Sequence, residues 1–119
     1  MGQSYRDLVA WKKGMNLVRL VYEVTSNFPK IEAFGLTSQM RRAAVSIPSN
    51  IAEGQARHSK REFTHFLRNT RGSLAELETQ ALLASDLGYL TEEQATKLLR
   101  LADELSRILS GPISSLREE

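Results

Sequence analysis

Two histidines and a glutamate fall at His58, Glu62 and His65. On a helix that spacing sets all three on one face, the arrangement of a helical metal site or of an acid–base pair. A tetrahedral site needs a fourth ligand; none is evident, and the 119 residues include no cysteine. As catalytic groups the three lack a nucleophile, an orienting partner and any sign of a cleft. Ser46 and Ser49 flank Pro48 with no nucleophile-elbow or base pattern, and their hydroxyls suit local backbone capping. The residues therefore imply no catalytic centre, no metal and no cofactor.

Phosphate chemistry is better provided for. Arg57, Lys60, Arg61, Arg68 and Arg71 fall on one helical flank or its approach. Lys12, Lys13 and Arg19, with Arg41 and Arg42, can enlarge that surface. Such an array neutralises phosphates in a salt-dependent, sequence-tolerant way and so suits RNA or DNA. No aromatic side chain interleaves it, so a base-stacking platform is not indicated. The alternative for the same stripe is a solvated helix flank, or a subunit contact with the acidic fourth helix.

A third group is polar but reads as structural. Arg41 and Arg42 group with Glu76 and Glu78: if the second and third helices pair antiparallel about Arg57, Arg42 stands level with about Gly72–Ser73 and Glu76 lies one turn further, within reach of a guanidinium. An Arg–Glu pair there would fix register more than it adds stability, whereas arginines with Ser73 alone would make an anion site. The nearby carboxylates favour the register role. Asn50 and Glu53 sit where Pro48 would free backbone groups, and are expected to satisfy them.

Charge is polarised along the chain. Residues 1–72 hold twelve Lys/Arg against five Asp/Glu, and residues 73–119 hold four against nine. This suits an anionic partner, or attraction between the halves within or between subunits. With 41% hydrophobic and 25% charged residues the composition is that of one ordinary globular domain, residues 1–119. The absence of cysteine, of a long apolar run and of a basic-then-apolar leader makes a cytoplasmic protein away from membranes the expectation.

Four helices must position these groups. Leu8, Trp11, Met15, Val18 and Tyr22 form one stripe over residues 8–28, widened by Leu17, Val21, Val24 and Phe28, and Pro29 ends it. Residues 30–36 form a connector, with Ile31, Phe34 and Leu36 expected to tuck against the bundle end. The second helix is expected from Thr37 to Glu53, bent at Pro48 and stopped by Gly54 as a left-handed cap. Ser59 and Glu62 read as a capping box opening a third helix with core positions Phe63, Leu67, Thr70, Leu74, Leu77, Ala81 and Ala84, closed by Gly88. Thr91 and Gln94 read as a second box, opening a fourth helix on Ala95, Leu98, Ala102, Leu105 and Leu109. Gly111-Pro112 is expected to break it, leaving Ile113 and Leu116 on a loose turn. Short connections predict an all-α, up-down-up-down antiparallel four-helix bundle with its second helix kinked at Pro48. Leu82, Leu83, Leu87, Leu101 and Ile108 widen the apolar faces beyond what one core needs, which points to self-association.

The run from Leu36 to Gly54, LTSQMRRAAVSIPSNIAEG, followed by Phe63-x-x-Phe-Leu and the segment Gly72 to Thr79, closely resembles the bacterial four-helix-bundle family named for 23S rRNA intervening sequences. The opening Tyr5 to Trp11 and the Leu87-Gly-Tyr-Leu90 turn resemble it too, so the likeness spans nearly the whole chain. The resemblance implies a four-helix bundle, a ring-shaped homopentamer and no established enzymatic activity. Accessory proteins of diversity-generating retroelements, which bind nucleic acid and a reverse transcriptase, look like more distant relatives. The family's name records genes lying inside ribosomal RNA genes, not contact with that RNA. The expectation is a non-enzymatic, self-assembling bundle presenting basic surfaces to RNA or DNA. The alternative is a protein-interaction scaffold whose basic flank serves assembly or an acidic protein.

Overall fold

The four expected helices are present in a computed structural model, which describes residues 4–111. Ser4 accepts a hydrogen bond from the Arg6 amide and opens a 3-10 turn at Tyr5–Asp7, which leads into α1, Val9–Thr25. A second 3-10 turn, Lys30–Glu32, connects to α2, Leu36–Ala56. Helix α3 spans Lys60–Asp86 and α4 spans Glu92–Ser110. Each helix packs on its neighbours in chain order, and α4 returns to α1, which closes the bundle. Pro112, Ile113 and Leu116 lie outside the described residues.

The core follows the spacing on α3 and α4. Every one of the seven α3 positions is buried, Thr70 included, and so are all five on α4. On α1 the two apolar rows exchange rank. Leu17, Val21, Val24 and Phe28 are buried, whereas in the first row only Leu8, just ahead of α1, is buried; Trp11, Met15 and Val18 are half-covered and Tyr22 faces outward. A helix packed on two neighbours buries the arc between them, and the first row lies at its edge.

The helix ends are set by identifiable groups. Thr91 and Gln94 form the complete reciprocal box at the start of α4. At Ser59 only the serine half is made: its hydroxyl oxygen accepts from the Glu62 amide at 3.3 Å. Past α3, Gly88 adopts φ +79° while the Tyr89 amide reaches the Ala84 carbonyl and the Gly88 amide that of Ser85, a Schellman ending.

One expectation at α2 is corrected: the helix, which includes Pro48, runs past Gly54, and that glycine is buried helix interior and not a cap. A Cβ at Gly54 would lie 2.8 Å from Phe66 Cβ and 2.9 Å from Phe63 Cδ1, so glycine is needed for close approach of α3. The left-handed residue is His58, φ 58°, in the α2–α3 connection. In the connector before α2, Leu36 is buried, but Ile31 and Phe34 are 88% and 99% exposed and do not tuck against the bundle. Glu32 holds this turn outward from both sides. One carboxylate oxygen accepts from the Leu36 amide at 3.0 Å, the other from the Tyr89 hydroxyl at 3.0 Å.

Candidate nucleic-acid interface

The basic residues gathered by the sequence separate into three groups. Lys60, Arg61, Arg68 and Arg71 are exposed on α3, and no ion pair among the described residues includes them. Arg68 and Arg71 border an open depression with Glu78 of α3 and Ser106 of α4, so this flank looks toward α4. Arg57 lies elsewhere: it pairs with Glu53 at 3.2 Å, and its guanidinium stands 5.3 Å from the centre of the Phe66 ring. The α1 cations form the third group. Lys13 reaches across to Glu104 of α4 at 2.9 Å, Arg19 donates to Asn16 at 3.0 Å, and Lys12 is exposed. One expected attraction between the basic and acidic halves is thereby met inside a single subunit.

The polar network also differs from the register pair expected of it. Arg41 Nε donates to the Thr25 hydroxyl at 2.9 Å, and its guanidinium covers the Tyr22 ring at 4.5 Å. Thr25 in turn donates to the Val21 carbonyl at 2.7 Å, so Arg41 ties α2 to α1 and not to Glu76. Glu76 accepts from Gln80 at 3.2 Å, and Arg42 is exposed. The α2–α3 bond is made by hydroxyls, Ser46 donating to Ser73 at 2.6 Å. Asn50 donates to the Ser46 carbonyl at 2.7 Å, inside the turn that holds Pro48, while Glu53 is taken by Arg57.

His58, Glu62 and His65 do not converge. His58 sits in the connection, and His65 meets Phe66 edge-on at 5.5 Å. Among the described residues no group of three or more His, Cys, Asp or Glu could hold a metal ion. No helix there is long and apolar enough to cross a membrane.

A family model described as 23S rRNA-intervening sequence protein matches residues 6–111, and so covers all four helices. The chain belongs to that family. A crystal structure of a protein of unknown function from the S23 ribosomal protein family of Bacteroides thetaiotaomicron is similar at TM-score 0.75 and 26% identity, covering 85% of this chain and 94% of that one. No curated protein matches.

Sequence reasoning missed two features of this 23S rRNA-intervening sequence family member. Glu32 bridges Leu36 and Tyr89, and the second contact spans 57 residues, beyond any local pattern. The hydrogen bond to Glu32, then burial, then the carboxylate's charge hold the Tyr89 phenol above its ordinary value of 10. The second feature is a groove of ≈ 620 Å³ between α1 and α2, lined by Tyr22, Phe34, Arg41, Arg42 and Val45 among others. The absence of any carboxylate from Ala33 to Ala52 was the available signal for it.

Proposed function

We propose that this family member is a non-enzymatic, cytoplasmic, self-assembling bundle whose α3 flank binds the phosphate backbone of RNA or DNA. The supporting observation is that Lys60, Arg61, Arg68 and Arg71 stand exposed with no carboxylate partner among the described residues, while Lys13 and Arg57 are neutralised by Glu104 and Glu53. Lys12 and Arg19 extend the basic surface on α1. A patch of a few cations binds weakly by itself. Repetition around an oligomer, the homopentameric ring that the resemblance implies, raises avidity without any tight single contact.

Filter binding of single- and double-stranded RNA and DNA at several salt concentrations tests the proposal. Each phosphate neutralised on duplex DNA contributes about 0.9 to the slope of log affinity against log salt, so three or four contacts per subunit give a slope near −3. No binding at low salt overturns it. The scaffold reading draws on the exposed leucines of α3. It gains if charge reversal at Arg68 and Arg71 dissolves the assembly of a protein that never bound nucleic acid.

A further inference from the structure

Two exposed apolar surfaces on this bundle carry opposite charge. In the α1–α2 groove, Phe34, Tyr22 and Val45 are 99%, 44% and 41% exposed, and the charged side chains lining it are Arg41 and Arg42. Arg41 is already fixed by Thr25 and Tyr22, so that cation is held in place before any partner arrives. Late in α3, Leu82, Leu83 and Leu87 are 54%, 48% and 51% exposed. Asp86 follows Leu82 by four residues and Leu83 by three, which puts it on the same outward face. No lysine or arginine occurs between Arg71 and Lys97.

We infer that the α3 leucine ridge of one copy docks in the α1–α2 groove of the next. Ridge against ridge would bring two Asp86 carboxylates into one interface with no cation from either ridge, and groove against groove would bring together four arginines, Arg41 and Arg42 of each copy, with no carboxylate from the lining. Only the head-to-tail pairing matches apolar area and charge together. Because ridge and groove are different patches, each contact leaves one of each unfilled, and copies add until a ring closes or a filament grows. The outward placement of Phe34 has its physical account here: Glu32, anchored to Leu36 and Tyr89, holds the turn that presents it. The inference rests on the self-assembly half of the proposed function and is separable from it.

The test is a mixing experiment followed by light scattering. Phe34→Glu removes the groove, and Leu83→Glu/Leu87→Glu removes the ridge; all three positions are exposed, and circular dichroism checks that helicity is kept. Wild type is expected at a multiple of 13.4 kDa, each variant at 13.4 kDa, and their equimolar mixture at twice that mass, because one intact groove then meets one intact ridge and growth stops. Arg42→Glu and Asp86→Arg, which leave the apolar residues in place, should each lower the mass and restore it when combined in one chain. If wild type is oligomeric but the variants keep its mass, or the mixture stays monomeric, this contact is wrong and self-assembly stands. A monomeric wild type overturns both.

Discussion

Replacing Gly54 and Gly72 with alanine, one at a time, should shift stability in opposite directions, although both lie inside helices. Alanine exceeds glycine in helix propensity by about 1 kcal/mol, and that gain is common to the two sites. Around Gly72 nothing lies within 4 Å of the added methyl, so Gly72→Ala should stabilise by roughly 0.5–1 kcal/mol. At Gly54 the methyl would sit 2.8 Å from Phe66 Cβ, an atom fixed to the α3 backbone. Relief requires α3 to move off α2, and overpacking of this kind costs about 1–3 kcal/mol, enough to exceed the propensity gain. Less the gain of about 1 kcal/mol, the net loss is up to about 2 kcal/mol, or a fall of up to roughly 10 °C in Tm for a domain of this size. Urea and thermal unfolding followed by circular dichroism at one protein concentration measure both. If Gly54→Ala stabilises as Gly72→Ala does, the close α2–α3 approach is wrong.

Thr91→Ala removes the threonine half of the α4 box and should cost about 1 kcal/mol in urea unfolding; no loss would mean that the end of α4 frays regardless. Tyr89→Phe tests the clamp on Glu32 through pH. The Tyr89 pKa is raised in the folded chain, so the stability it contributes is present below its unfolded value near 10 and is lost as pH rises through the higher folded value. Wild type should therefore lose more stability than Tyr89→Phe as pH rises above 10, and parallel curves would contradict the bond.

Helices α3 and α4 were legible because their apolar spacing is regular and each has one buried face, so period alone located the core. On α1 the spacing gave two rows, and only the positions of α2 and α4 decide which is buried. Gly54 continues the spacing of Ile47 and Ile51, yet glycine after a helical run also signals a cap; the nearness of Phe63 and Phe66 across the hairpin decides between them. Apolar type predicts burial for Ile31 and Phe34, whereas Glu32, with its long-range bond to Tyr89, fixes their turn with both side chains exposed. Charge alone directs Arg41 to a carboxylate, but the packing of α1 on α2 brings Thr25 and Tyr22 to it instead. Among the candidate phosphate contacts, the sequence identified the cations but not their partners. Lys13 and Arg57 are neutralised by residues that folding brings to them.

The most direct test of the functional account is the affinity of Arg68→Glu/Arg71→Glu for duplex DNA and RNA across a salt series, with the assembly mass measured alongside. The account predicts unchanged mass, weaker binding to every sequence, and a salt slope shallower by about one per lost contact. Equal binding and slope in variant and wild type would contradict it.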